Sequence, residues 1–257
     1  MFFSNYGGLN RNAINMLFLI LIIWSFISMG VSGWIQILML IPAIVIGISL
    51  HEYAHARAAD KLGDTTPRIQ GRLTLNPLKH LDFFGTLLIF GCNFGWGKPV
   101  QINPDNFVNT NRSKGFCEVM VALAGPLMNF FVAIIMAFVI TLIKTFEIPF
   151  FNTQAGVILY QILVNILMIN VGLGVFNLIP LPPLDGDKIF KNLLPYRVRS
   201  FLDRNTYTIQ VMFLILYFFG VLSYITAPII EVLSTLIVRL ANYVVYGILW
   251  VIYRITG

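Results

Sequence analysis

Residues 34–56 read WIQILMLIPAIVIGISLHEYAHA, and this stretch decides the fold. Residues 34–50 carry no charged side chain, and a helix of about 20 such residues can cross the hydrocarbon core of a bilayer. The stretch then reaches His51, Glu52 and His55, and ionisable groups at membrane depth are costly and usually functional. The same residues therefore predict both a membrane helix and a site within it.

The rest of the chain has the same apolar character. Its 257 residues are 58% hydrophobic and only 11% charged, and the mean hydropathy is +0.81. Soluble globular proteins carry about 25% charged residues, so soluble and disordered classes are excluded. Unbroken apolar runs also exclude a membrane β-barrel, whose strands alternate. The composition predicts an all-α polytopic membrane protein, in contact with the lipid bilayer and with no nucleic-acid partner.

Six apolar segments are long enough to be transmembrane helices. They cover residues 13–30, 34–56, 117–143, 156–180, 207–227 and 230–253. The first resembles a signal peptide, but its apolar run is long, its n-region is only weakly basic and no cleavage site follows, so we expect it to remain as a spanning helix. The whole chain, 1–257, is interpreted as a single domain, with a core at 34–195 and additional helices at 207–253.

Two stretches between the second and third segments do not fit a spanning helix. Residues 67–76 alternate between apolar and polar side chains, which favours a strand of a short membrane-associated β-hairpin. Residues 83–96 are apolar but too short to span, which is typical of a re-entrant segment. If 83–96 does not cross, nearly all Lys and Arg residues outside the helices lie on one side of the membrane. The positive-inside rule then predicts a multi-pass protein of the cell membrane with both termini cytoplasmic.

The spacing of His51 and His55 is typical of a metal site on a helix. Residues four apart share one helix face, so two imidazoles can bind one zinc ion while Glu52 reaches the metal-bound water. A third protein ligand is needed, for which His80 and Asp185 are candidates. Asp185 is favoured because it follows a proline-rich break at the end of the fourth segment, where irregular backbone implies a cavity.

These residues predict hydrolysis of a peptide bond. Zinc would lower the pKa of its bound water, and Glu52 would accept the proton as a general base. Asn129 and Asn177 are candidate donors to the oxyanion, although either could instead join two helices by a hydrogen bond.

Several motifs give the chain a more specific resemblance, over residues 34–195. His-Glu-x-x-His in a membrane helix and Asn177-x-x-Pro-x-Pro-x-Leu-Asp185-Gly186 resemble the site-2 protease family of intramembrane zinc metalloproteases. The stretches at 71–77, 95–100 and 125–129 are similar to its short prokaryotic branch. The resemblance implies one Zn²⁺ bound by His51, His55 and Asp185, with Glu52 as catalytic base. It also implies that the substrate is a transmembrane protein. The chain has no room for the PDZ or CBS domain that many relatives carry.

Other functions remain open at this point. A zinc or divalent-metal transporter could also use such a helix, but would usually need more ligands near the bilayer midplane. A zincin-type membrane protease would have a downstream Glu or His as third ligand, and an inactive scaffold would lack one of the expected groups. The sequence does not indicate the oligomeric state.

The predicted strand also suggests how a substrate is held. A transmembrane helix must unwind before cleavage, and its freed backbone groups need new partners inside the bilayer. An exposed strand edge supplies such partners by strand addition. The substrate-strand candidates are Arg72, Leu73, Thr74 and Leu75.

Overall fold

The computed structural model describes residues 30–82, 85, 97–108 and 110–256. Its helices are α1 (Gly30–Lys61), α2 (Thr66–Ile69), α3 (Lys114–Thr145), α4 (Gln154–Asn177), α5 (Asp185–Leu193), α6 (Tyr196–Arg204), α7 (Thr206–Phe218) and α8 (Val221–Thr256). Short 3-10 helices lie at Pro77–Lys79, Pro104–Asn106 and Pro149–Asn152. Within these residues no strand occurs, and the isolated bridge between Leu81 and Gly97 is the only β-type pairing. The predicted all-α class is confirmed for the described part of the chain.

Helices α1, α3 and α4 pack together as the core of the bundle. Ala43 of α1, Val132 of α3 and Ile166 of α4 form one buried cluster. A second cluster joins α3 and α4 to α8, and it consists of Ala133, Ala137, Ile140, Leu167, Val171, Val175 and Ala241. Small side chains such as alanine let apolar helices approach closely, which is how helices associate without a hydrophobic driving force between them.

Among the described residues, four helices are long and apolar enough to cross a membrane. They are Ser32–Lys61, Lys114–Thr145, Gln154–Asn177 and Val221–Ile255. The first three confirm the predicted segments 34–56, 117–143 and 156–180. The predicted segment 13–30 lies almost entirely outside the described residues, and so does the re-entrant segment 83–96.

The two predicted C-terminal segments are wrong in their boundaries. Helix α7 has only 13 residues, about 20 Å at 1.5 Å per residue, which is shorter than a hydrocarbon core of about 30 Å. The chain turns at Gly220, whose φ of 74° is accessible mainly to glycine. Helix α8 then continues for 36 residues through Pro228. The sequence predicts a boundary between two helices near Pro228, but a proline inside a membrane helix is tolerated.

The path of α8 also differs from the predicted topology. The hydroxyl of Thr141, near the end of α3, donates to Oδ1 of Asn242 at 2.9 Å. Earlier in α8, Ile230 lies beside Gly172 of α4. Helix α8 therefore runs parallel to α3, and its C-terminal end lies at the end of the bundle where α3 finishes. The expectation that the C terminus shares a side with the basic loops at 57–116 and 188–204 is therefore wrong.

The predicted strand at residues 67–76 is wrong as well. Thr66–Ile69 form one turn of helix, with Pro67 at the start, where a proline costs no helix hydrogen bond. Gly71 has a φ of 65° and ends this turn. Residues 72–76 form no strand. The alternation of apolar and polar side chains therefore comes from a helical turn followed by an irregular segment, not from a pleated backbone.

Candidate metal centre

Three helices and a proline-rich break bring His51, His55 and Asp185 together. The two histidines lie one turn apart on α1, and α4 ends at Asn177 before the irregular residues 178–184. Asp185 is the first residue of α5. The break folds tightly against α5, because a Cβ at Gly186 would lie 2.2 Å from the carbonyl oxygen of Ile179.

The ligand atoms of the three residues meet at one point. Nε2 of His51 lies 3.0 Å from Oδ2 of Asp185, and Nε2 of His55 lies 3.1 Å from the same oxygen. The two Nε2 atoms are 3.0 Å apart. Two tetrahedral zinc ligands at about 2.0–2.1 Å from the metal would be about 3.3 Å apart, so the spacing suits a zinc ion.

The outer nitrogens of the histidines fix which ring atoms face this point. Nδ1 of His51 donates to Oδ1 of Asn129 at 2.6 Å, and Nδ1 of His55 donates to the carbonyl of Val121 at 2.7 Å. Both Nε2 atoms of the neutral rings therefore carry lone pairs. Two such lone pairs and a carboxylate oxygen that converge on one point form a set of donors that suits a cation. The donor set therefore fits a divalent metal.

Gly125 lets α3 approach the two imidazoles. A Cβ at this position would lie 2.3 Å from Nε2 of His55 and 2.7 Å from Nε2 of His51. No real Cβ makes such contacts, so a side chain here would displace both rings. Glycine at residue 125 therefore allows both rings to keep the positions that bring their Nε2 atoms together.

Asn129 supports His51. Besides accepting from that ring, it donates to the carbonyl of Gly47 at 3.0 Å and to Oδ1 of Asn170 at 2.9 Å. Both amide hydrogens are therefore used, and the helix-joining alternative describes Asn129 better than an oxyanion donor. Sequence reasoning missed Asn170, although a polar residue within the apolar run of α4 was a signal for it.

The other predicted residues lie outside this cluster of three ligands. Asn177 donates one amide hydrogen to the carbonyl of Leu173 in its own helix. His80 is fully buried, and its Nε2 donates to the carbonyl of Thr74 at 2.7 Å. His80 therefore holds a turn and does not join the metal ligands. Glu52 lies on the neighbouring flank of α1, where Oε2 accepts from the amide of Val100 at 3.0 Å.

Polar contacts attach α5, the helix that begins with Asp185, to α6 and α3. Lys191 of α5 pairs with Asp187 at 2.9 Å and with Asp203 of α6 at 3.2 Å. Burial disfavours the charged form of Lys191, but the two carboxylates outweigh that effect and raise its pKa. Asn192 also donates to Glu118 of α3 at 2.9 Å. The helix that begins with Asp185 is thus attached to both neighbours.

Comparisons with known proteins agree with this site. The family model described as Peptidase family M50 matches residues 39–220. Three similar proteins carry the name "Putative zinc metalloprotease". YwhC of Bacillus subtilis is 37% identical over 195 residues, which is 75% of this chain and 85% of YwhC. MJ0611 of Methanocaldococcus jannaschii is 30% identical over 152 residues, 58% of this chain and 67% of MJ0611.

The third, Rip2 of Mycolicibacterium smegmatis, is 29% identical over 153 residues, 58% of this chain and 54% of Rip2. No solved structure matches the chain significantly. The family match covers most of the chain and includes all three predicted metal ligands and Glu52. With its apolar helices and its cluster of two histidines and one aspartate, the chain belongs to peptidase family M50 and is a membrane metalloprotease that uses zinc.

Proposed function

We propose that the protein is an intramembrane zinc metalloendopeptidase that hydrolyses a peptide bond in or near a transmembrane segment of a membrane-protein substrate. The observation that carries this proposal is the depth of the ligands within the bundle. Gly125, which faces both histidines, lies 11 residues into α3, about 16 Å from its start. A metal at this level would meet a substrate among helices that are long enough to span the bilayer.

The residues at the site divide the chemistry among them. His51, His55 and Asp185 would hold the zinc ion, which supplies a Lewis acid for polarising the substrate carbonyl and activating water. Glu52 accepts the proton of the attacking water and returns it to the leaving amine. Asn177 remains a candidate donor to the oxyanion, because only one of its two amide hydrogens has a partner among the described residues.

We further propose that the end of the bundle carrying the histidines faces the cytoplasm. Eight Lys and Arg residues between 57 and 114 and five between 188 and 204 lie toward this end. Lys144 and Arg254 lie toward the other end. The positive-inside rule favours the cytoplasm for the more basic side. Cysteine labelling at Asp105 and Asn152 in intact cells tests this orientation, and we expect only residue 152 to react with an impermeant reagent.

The function is tested by reconstituting the purified protein with a single-pass model substrate. Glu52→Gln should retain about one zinc per chain and lose cleavage, because an amide cannot accept the proton. Glu118→Gln is the matched control, since Glu118 lies at the start of α3 and contacts Asn192 rather than the metal ligands. Cleavage by Glu52→Gln at the wild-type rate would contradict the proposal.

The same vesicles distinguish the transporter alternative. A transporter would move zinc into the vesicle without needing a general base, so Glu52→Gln would keep zinc uptake. The described residues contain a single group of three potential metal ligands, and the relatives are named as metalloproteases. Neither observation favours transport.

A further inference from the structure

The flank of α1 that carries Glu52 is covered by irregular backbone. We name residues 97–107 the crossing segment; it runs from the bridge at Gly97 to Phe107, which packs with Ala59, Cys117 and Val121. It contains the Pro104–Asn106 turn but no longer helix. Its path over α1 must therefore be fixed by contacts with the rest of the protein.

The crossing segment contacts Glu52 through one hydrogen bond and passes close to α1. The amide of Val100 donates to Oε2 at 3.0 Å. A Cβ at Gly97 would lie 3.8 Å from Oε1 and 2.8 Å from a methyl group of Ile48, so glycine is needed for this close approach to α1. The position of the carboxylate therefore depends on the position of the crossing segment.

Arg72 fixes the first end of the crossing segment. Its side chain is buried, with 7% exposed, and its guanidinium donates to the carbonyls of Lys79 and Lys98. The amide of Lys98 in turn donates to the carbonyl of His80 at 2.7 Å. Both hydrogen bonds come from Nη1 of the guanidinium, and lysine, whose side chain differs in length and shape, would not place its ammonium group at the same point.

Asp64 fixes the second end. It is fully buried and accepts from the amide of Asn103 at 2.7 Å and from the side chain of Asn106 at 3.0 Å. It also accepts from the amide of Thr66 at 3.0 Å. Burial disfavours the charged form, but the hydrogen bonds outweigh it and lower the pKa of Asp64. A carboxylate with these partners stays ionised and holds the backbone at residue 103 firmly.

We propose that Asp64 and Arg72 are positioning residues, which hold the crossing segment so that the amide of Val100 orients the carboxylate of Glu52. The inference rests on the proposed function, because it assumes that Glu52 is the general base. Under this proposal, the buried side chains of Asp64 and Arg72 affect catalysis through Glu52, although neither contacts a metal ligand. A merely structural role would instead lower stability without changing turnover by the folded enzyme.

The experiment measures kcat, KM and zinc content of the zinc-loaded enzyme in vesicles with the model substrate. Val100→Pro removes the amide that donates to Glu52. We expect kcat to fall about tenfold to hundredfold, as is typical when a reactive group loses a hydrogen-bond partner that orients it. KM and zinc content should stay unchanged. Gln101→Pro is the matched control, because the amide of Gln101 donates no hydrogen bond within the described residues. Asp64→Asn and Arg72→Lys should lower kcat in the same direction, whereas Asp105→Asn in the same segment should not.

A double-mutant cycle separates positioning from general loss of structure. If Asp64 acts through Val100, Asp64→Asn should cause less than about a twofold further loss in the Val100→Pro background. An equal loss in both backgrounds, or unchanged kcat in Val100→Pro, would overturn the inference. Should Asp64→Asn not fold, the cycle with Arg72→Lys decides in the same way.

Glu52→Gln keeps the two proposals distinguishable. If Glu52→Gln is inactive and Val100→Pro is fully active, only the positioning inference fails. If Glu52→Gln cleaves as the wild type does, the assignment of Glu52 as general base fails first.

Discussion

The two flanks of α1 hold their functional groups in different ways. On one flank, the rings of His51 and His55 are held by Asn129 and Val121 of a regular helix, α3. On the other, Glu52 is held by a backbone amide of the irregular crossing segment. The proposed metal ligands thus depend on helix packing, whereas the proposed general base depends on a few polar contacts of irregular backbone. Substitutions on the two flanks should therefore have different effects, on zinc binding in the first case and on turnover in the second.

The largest expected effect is that of Asp185→Ala on zinc binding. Removing one of three protein ligands should weaken zinc binding on the order of 10²–10³-fold, since a complete site of four ligands is worth about 10–16 kcal/mol. The measurement is zinc content after dialysis against a weak chelator. Asp105→Ala, which removes an exposed acid that pairs with Lys114 outside α5, is the control and should keep the metal. Full zinc content in Asp185→Ala would refute the assignment of this ligand.

Gly125→Ala should have nearly as large an effect for a purely steric reason. The added methyl group would lie 2.3 Å from Nε2 of His55, so both rings must move from their metal-binding positions. Alanine favours helix over glycine by about 1 kcal/mol, and the protein should therefore stay folded while zinc content falls well below one per chain. Circular dichroism and metal analysis on the same sample would show both results.

Gly172→Ala is the matched control for this steric effect. Its Cβ would meet only Ile230 at 3.9 Å, which is an ordinary contact. Zinc content should therefore remain at the wild-type level in Gly172→Ala. Equal zinc content in the two alanine variants would show that α3 does not constrain the histidines.

Asn129→Ala should have a smaller effect on the same flank. It removes the acceptor of the His51 ring and leaves the carbonyl of Gly47 without its donor. Loss of a partner that orients a metal-bound histidine typically weakens metal binding about tenfold to hundredfold. Competition with a fluorescent zinc chelator measures this affinity. Asn165→Ala, which removes an asparagine bonded to Met39 of α1 instead, should leave the affinity unchanged.

The difference between the two flanks also explains what could be predicted from sequence. His51, Glu52 and His55 are recognisable because the spacing of residues on a helix fixes which side chains share a face. Asp185 is recognisable because prolines interrupt an apolar run immediately before it. The crossing segment has no such periodicity. Its conformation depends on contacts between residues far apart in sequence, such as Arg72 with Lys98.

The errors in the predicted fold have a related cause. Local alternation of apolar and polar side chains predicts a strand that includes Arg72, Leu73, Thr74 and Leu75. In the structure, the side chain of Arg72 instead donates hydrogen bonds to the carbonyl groups of Lys79 and Lys98. At the C terminus, Pro228 and Gly220 are both possible breaks, and only the packing of α8 against α3 and α4 decides between them. The local pattern of side chains was sufficient to predict the long apolar helices. It was insufficient where tertiary contacts determine which of two residues ends a helix.

The smallest expected effect concerns the pH dependence of Asp64, and it tests how firmly the Glu52 flank is held. The pKa of Asp64 is lower in the folded protein than in an unfolded chain, so its ionised form stabilises the fold. This stabilisation is fully present above the ordinary aspartate pKa and is lost as the pH falls through the lower, folded pKa. The difference in Tm between wild type and Asp64→Asn should therefore be largest near pH 6 and should shrink toward pH 3. Thermal unfolding of EDTA-treated protein in detergent measures it without a contribution from metal loss.

Asp105 provides the comparison for this last prediction. Its pKa is also lowered, by a hydrogen bond from Lys114 and by the charge of that residue, but its side chain is 80% exposed. Exposed ion pairs are screened by salt and contribute little. The Tm difference for Asp105→Asn should be small and should vanish in high salt, whereas that for Asp64→Asn should persist, because Asp64 is buried and its partners are neutral amides rather than a surface charge. A pH profile for Asp64→Asn that disappears in salt would mean that solvent reaches this carboxylate and that the crossing segment is held loosely at residue 103.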